Sequence, residues 1–192
     1  MRLISGSAGG IPLEVPKSVT RPTQDRVRQA IFNMLGDLIA GARVLDLFAG
    51  SGALGLECLS RGAESALLVD QDRGACEVMR KNIAKTKLEG ATIRQGDVFK
   101  VIAHLAEAGQ TFDLIFADPP YAHKPGDIDL CAKLAADTGF QQLIAADGSV
   151  ILECLAAKNS SSVMSPWEVQ RDREYGSTRI LWLTKRSLKL IE

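Results

Sequence analysis

The chain of 192 residues is 46% apolar and 24% charged, and it balances 23 basic against 23 acidic side chains, which suits one ordinary globular domain able to bury a sizeable core. Zero net charge argues against an indiscriminate nucleic-acid binder held by phosphate neutralisation; no apolar run reaches membrane-span length, and Met1-Arg2-Leu3-Ile4-Ser5-Gly6 does not read as a signal peptide. Four scattered cysteines (Cys58, Cys76, Cys131, Cys154) without C-x-x-C spacing, and only two histidines (His104, His123), predict reduced thiols in a cytoplasmic protein with little to build a metal site.

In chain order, residues 2–5 and 11–15 around Gly6, Gly9 and Gly10 predict a small hairpin. Residues 1–22 are then an extension on a single domain whose core spans 23–192. Thr23 is the expected cap of a first helix with the apolar stripe Val27, Ala30, Ile31, Met34, Leu35 and Leu38. After Gly41, apolar strands at 43–48, 66–70, 92–95, 112–118 and 149–154 alternate with helical segments near 53–61, 72–87, 98–108 and 127–145. Continuous apolar strands between helices imply a parallel sheet covered on both faces. Two late segments, about 167–173 and 178–184, are joined through Tyr175-Gly176-Ser177 at hairpin spacing. The expected fold is α/β and Rossmann-like: a doubly wound, mainly parallel sheet with an antiparallel last strand.

Charge is uneven along the chain. Residues 1–43 hold six basic and three acidic side chains, residues 171–192 hold the same numbers, and residues 101–153 hold two basic against eight acidic. A basic rim around an acidic centre suits a polyanion that brings a group into a cation-holding cleft.

Ligands of such sheets bind beyond the carboxyl ends of the strands. An acid stands at or just after four of those ends: Asp46, Asp70, Asp97 and Asp118. Gly50-Ser51-Gly52-Ala53-Leu54-Gly55 matches G-x-G-x-x-G, with Asp70 twenty residues past Gly50, the spacing of a dinucleotide fingerprint. Asp46 argues against a pyrophosphate, which its carboxylate would repel. S-adenosylmethionine carries a sulfonium and an ammonium, which Asp46 can stabilise, while Asp70 accepts from the ribose hydroxyls and Asp97 or its neighbouring backbone reaches the adenine amine. The expected cofactor site is Asp46, Phe48, Ala49, Gly50, Ser51, Gly52, Asp70, Gln71, Asp97 and Val98.

A second site follows the apolar run Leu114-Ile115-Phe116-Ala117: Asp118-Pro119-Pro120-Tyr121. An exocyclic amine on a nucleobase is a poor nucleophile because its lone pair is delocalised into the ring. The Asp118 carboxylate and the Pro119 carbonyl can each accept one of its N–H groups, point the lone pair at an incoming methyl and stabilise the charge that develops on nitrogen. Pro119 and Pro120 stiffen the ledge, and Tyr121 offers a ring for the base to stack on. The residues thus point to methyl transfer onto a planar nitrogen.

These motifs, with Arg21-Pro22-Thr23-Gln24-Asp25-Arg26-Val27-Arg28, Arg2-Leu3-Ile4-Ser5-Gly6 and Tyr175-Gly176-Ser177-Thr178, resemble the RsmD family of bacterial 16S rRNA guanine-N2 methyltransferases. The resemblance covers nearly the whole chain. It implies a class I methyltransferase fold, S-adenosylmethionine, and a monomer acting on a guanine of 16S rRNA in an assembled or assembling small subunit, with no metal and no membrane. Arg21, Thr23, Arg26 and Arg28 are candidates for contact with RNA phosphates or closure over the cofactor; Arg26 borders the apolar stripe and is expected to reach a fixed partner. The family usually carries tryptophan and arginine in the hairpin, where this chain has Ser7-Ala8-Gly9-Gly10-Ile11-Pro12, so weak binding to naked RNA is expected. The rival functions are a DNA adenine or cytosine amino-methyltransferase, an NAD-dependent oxidoreductase and a non-catalytic ribosome-assembly factor. The first usually needs an added recognition domain, the second is disfavoured by Asp46, and the third has no use for an intact ledge.

Overall fold

The computed structural model of the chain describes residues 1–16, 25–121, 127–156 and 166–185. Seven strands, β1 (Arg43–Leu47), β2 (Ser65–Asp70), β3 (Ala91–Gln95), β4 (Phe112–Ala117), β5 (Ile144–Leu155), β6 (Trp167–Tyr175) and β7 (Thr178–Lys185), form one sheet. Its spatial order is β3-β2-β1-β4-β5-β7-β6. Strands β1 to β5 run parallel, and β7 lies antiparallel between β5 and β6. The order reverses between β1 and β4, where an open α/β sheet leaves a crevice for ligands.

Both faces of the central strands β1, β4 and β5 are apolar because helices cover both. On one face, Val44, Leu114, Phe116 and Ile151 pack with α1 (Asp25–Leu35), α2 (Ala53–Ser60) and α3 (Arg73–Thr86). On the other, Leu45, Ile115 and Leu152 pack with α4 (Val98–Glu107), α5 (Leu130–Ala136) and α6 (Thr138–Gln142).

Three elements depart from the expected ones. Helix α1 tightens into a 3-10 turn at Gly36–Ile39, which rotates Leu38 outward to 51% exposure and buries Ile39 in its place. The segment 127–145 is two short helices, because the Asp137 carboxylate accepts the Phe140 N–H and restarts the helix as α6. Strand β5 begins at Ile144, with a register shift opposite Phe112 and Leu114; Asp147-Gly148 looks like a turn in sequence but is an irregularity within the strand.

The N-terminal hairpin forms, with Arg2 bridged to Pro12, and it is stitched to the core. Leu3, Ala8 and Leu13 are buried in the cluster beneath α1 and α2. The Glu57 carboxylate on α2 accepts the N–H groups of Ile4 and Ser5 and pairs with Arg61. At the tip, Ser7 N–H donates to the Ser60 carbonyl and Ala8 N–H to the Ser60 hydroxyl. A Cβ on Gly6, whose φ is +81°, would stand 1.8 Å from that carbonyl oxygen. Small residues at the tip thus let it close on α2.

Candidate active site

Leu47 of β1 pairs with Ala117 of β4, so Phe48 and Asp118 leave the sheet side by side at the reversal point. Asp46 pairs with Phe116 in that register. Since alternate residues of a strand share a face, Asp46 and Asp118 lie on the face covered by α1 and α2. The two carboxylates expected to serve donor and acceptor thus border one crevice.

The loop after β1 is a tight, internally bonded cradle. Phe48, Gly50 and Gly52 have φ of 60°, 55° and 75°; for phenylalanine this left-handed geometry is strained and must be imposed by its surroundings. Ala49 N–H donates to the Val69 carbonyl, and Gly50 N–H to Asp70 Oδ2 at 2.8 Å. Asn82, fully buried on α3, donates to the Ser51 and Glu14 carbonyls and accepts the Glu14 N–H, joining loop, helix and hairpin. The helix that follows comes so close to the sheet that a Cβ on Gly55 would lie 2.3 Å from Leu68 Cδ2.

Asp46 is 2% exposed and accepts the Gly55 N–H through Oδ2 at 3.0 Å. It therefore caps α2 from beneath, satisfying an amide that a helix's first turn leaves open. Burial pushes its carboxyl up to about 7, with the Gly55 hydrogen bond opposing and the nearby Asp70 charge adding to the rise. Among the described residues no cation forms a salt bridge with it. A buried acid of this kind under a glycine cradle fits a ligand that brings positive charge, as the cationic end of S-adenosylmethionine does.

The other acids have backbone duties as well. Asp70 Oδ1 accepts the Asp72 N–H while Oδ2 holds Gly50. Asp97 is exposed and caps α4 by accepting the Lys100 N–H. Val98 buries its side chain in the core cluster against which Phe48 of the loop packs, and Gln71 is exposed.

At the ledge, Asp118 and Tyr121 are half-buried, Pro119 is buried and Pro120 exposed. The Tyr121 hydroxyl donates to Glu153 Oε1 at 2.8 Å and lies 3.5 Å from Thr178 Oγ1. Sequence reasoning stopped at four acids and missed Glu153, although the same rule of an acid near a strand end would have found it on β5.

Of the arginine run, Arg21 and Thr23 lie outside the described residues, as does His123. Arg26 is exposed. Arg28 is 1% exposed, and its Nη2 donates to the Arg2 carbonyl at 2.6 Å and to Asp25 at 2.8 Å, so of its two expected roles a surface contact with RNA phosphates is the less suited to its position. It ties α1 to the hairpin, while its buried Nε and Nη1 meet no acceptor among the described residues. Trp167 and Trp182 are packing residues whose indole N–H groups donate to the Ala135 carbonyl and the Ser149 hydroxyl. The four cysteines are free thiols. Among the described residues no three metal-ligating side chains cluster, and no helix is long and apolar enough to cross a membrane.

The family model described as conserved hypothetical protein 95 matches residues 1–184. The ribosomal RNA small subunit methyltransferase D of Escherichia coli (strain K12) is 35% identical over 177 residues, 92% of this chain and 85% of that protein. The proposed rRNA methyltransferase YlbH of Bacillus subtilis (strain 168) is 36% identical over 188 residues, 97% of this chain and all of that one. Among solved structures, the proposed methyltransferase yhhF of Escherichia coli superposes with a TM-score of 0.81 at 32% identity, covering 96% of this chain and 97% of that one.

Proposed function

This chain belongs to the conserved hypothetical protein 95 family, the RsmD family that its motifs resemble, and from that premise we propose that it methylates the exocyclic N2 amine of a guanine in 16S rRNA within the small ribosomal subunit. It is a methyltransferase, and the methyl donor of this reading is S-adenosylmethionine. The observation that carries the reading is the register of β1 and β4, which sets a buried, cation-seeking acid and a proline-stiffened acid on one face of one crevice. The protein works as a monomer in the cytoplasm and has no need of a metal.

The bound donor supplies an electrophilic methyl on a sulfonium, whose leaving group departs as a neutral thioether. The chain's own residues provide the rest. Gly50, Ser51 and Gly52 let the backbone approach the donor, Asp46 and Asp70 present negative charge beneath and beside it, and Gln71, Asp97 and Val98 line the adenine end through side chain or backbone. Asp118 and the Pro119 carbonyl each accept one N–H of the guanine amine, which frees its lone pair to face the methyl. As the C–N bond forms, the nitrogen becomes positive, the fixed carboxylate stabilises it, and a proton then leaves toward Asp118 or water. Such preorganised charge contributes on the order of 10²–10³-fold in rate per group. Arg28, with buried N–H groups lacking acceptors among the described residues, belongs with cofactor closure. Arg21 and the exposed Arg26 are left for RNA phosphates, and Thr23 stays with them as a candidate for substrate contact or closure.

The test incubates the protein with methyl-labelled donor and separate pools of small-subunit particles, naked rRNA and DNA. Label is expected on guanine N2 in the particles, weakly in naked rRNA and not in DNA. Asp118→Ala is expected to abolish transfer while leaving donor affinity unchanged by calorimetry. Label confined to DNA, or an Asp118→Ala variant that keeps most of its rate, overturns the reading.

A further inference from the structure

We propose that Glu153 is a positioning residue of this site: through the Tyr121 hydroxyl it fixes the plane on which the target base stacks. The inference rests on the methyltransferase reading above and adds to it a residue that its motifs do not contain.

Three strand ends converge on one phenol. Ala117 of β4 pairs with Leu152 of β5, so Glu153 stands beside Asp118. Glu153 in turn pairs with Ile180 of β7, two residues past Thr178. The Tyr121 hydroxyl donates to the Glu153 carboxylate at 2.8 Å, with the Thr178 hydroxyl 3.5 Å away. Pro119 and Pro120 restrain the backbone end of this tyrosine, and the hydrogen bond restrains the far end of its ring. A ring held at both ends keeps one orientation, as a stacking surface must if the amine is to meet the methyl in line.

Glu153 is only 7% exposed, and a buried carboxylate is a poor stability device, since apolar replacements of similar volume are often neutral or stabilising. Its use lies in what it holds. The phenol does not serve as a base: burial and the carboxylates of Glu153 and Asp118 push its ionisation well above the usual tyrosine range. The hydroxyl is occupied as a donor to Glu153, which leaves the ring face as the working part of Tyr121.

The test exploits the fact that the chain has two tyrosines, so that in a Tyr175→Phe background Tyr121 is alone. Ultraviolet titration of its phenol in that parent should show ionisation only at strongly alkaline pH, and Glu153→Gln should lower the midpoint while burial still keeps it above the ordinary range. In the methylation assay on small-subunit particles, Tyr121→Phe and Glu153→Ala should each lower kcat/KM on the order of tenfold, mainly through KM for the particle. The double variant should be no worse than the poorer single variant, because both remove one hydrogen bond. Glu153→Gln should recover most of the activity, since its amide oxygen still accepts, and donor affinity should stay unchanged throughout. Losses that multiply in the double variant, a Glu153→Ala enzyme at the parent's rate, or a phenol whose titration ignores position 153 would each overturn the proposal. A parent that transfers no methyl to the particles overturns the methyltransferase reading instead, and the phenol titration still judges the anchor.

Discussion

Asp46→Asn removes a buried charge while leaving an oxygen to accept the Gly55 N–H. In the folded protein, burial holds the Asp46 carboxyl at about 7, against 3.8 for a free side chain. A carboxyl raised in this way keeps its proton longer in the folded than in the unfolded chain. Its stabilising contribution is therefore whole below about pH 4 and is lost progressively as the pH climbs to about 7. The gap between those two values corresponds to about 4 kcal/mol as an upper bound. Urea unfolding of parent and variant across pH 4 to 8 reads this directly. The two should converge near pH 4, and the asparagine variant should become the more stable by up to about 4 kcal/mol by pH 8. Saturating S-adenosylmethionine should reverse the order above pH 7, because only the parent offers a full charge to the cationic end of the donor. A stability difference that stays constant from pH 4 to pH 8 would refute the reasoning, since it would mean that Asp46 titrates as an ordinary exposed acid.

Gly55→Ala sets a Cβ 2.3 Å from Leu68 Cδ2 and 3.4 Å from Asp46 Oδ2, and should cost roughly 1–3 kcal/mol by thermal denaturation. Gly6→Ala forces a Cβ to within 1.8 Å of the Ser60 carbonyl at φ +81°; amide exchange should show the hairpin loosened from α2 while the sheet stays protected. Glu57→Ala strands the Ile4 and Ser5 amides and the Arg61 guanidinium. It should cost about 3–5 kcal/mol, with Glu57→Gln recovering part of the loss in the same denaturation assay.

The architecture was legible because its signals are redundant. Strands β1, β2 and β4 and the second half of β5 are apolar runs bounded by turn residues, and the stripe Val98, Val101, Ile102 and Leu105 of α4 needs no tertiary information to be read. What escaped was set by contacts distant in sequence. Leu38 continues the period of α1, yet the 3-10 turn before Gly41 changes the period itself. Arg28 looks like any charged residue on a helix until the hairpin folds over it and supplies the Arg2 carbonyl. Glu57, in the middle of an otherwise apolar helix, announces nothing in sequence of the two amides that it receives from more than fifty residues away.

The acids at the strand ends show why a site is harder to read than a fold. In a parallel α/β sheet each strand leads into a helix, so the edge that receives ligands is also the edge where helix N-termini leave amides unpaired. One carboxylate there answers either demand, and spacing along the chain does not distinguish them. Asp97 caps α4 with its bond to Lys100 N–H. Asp70 binds the cradle, and Asp46 caps α2 from beneath while storing the charge that a cationic donor would meet. Asp118 follows β4 directly, and Glu153 beside it accepts from the Tyr121 hydroxyl. What spacing along the chain leaves open is thus decided by the partner each side chain finds: Asp46 and Asp97 accept helix amides, Asp70 holds the Gly50 loop, and Glu153 accepts from a phenol.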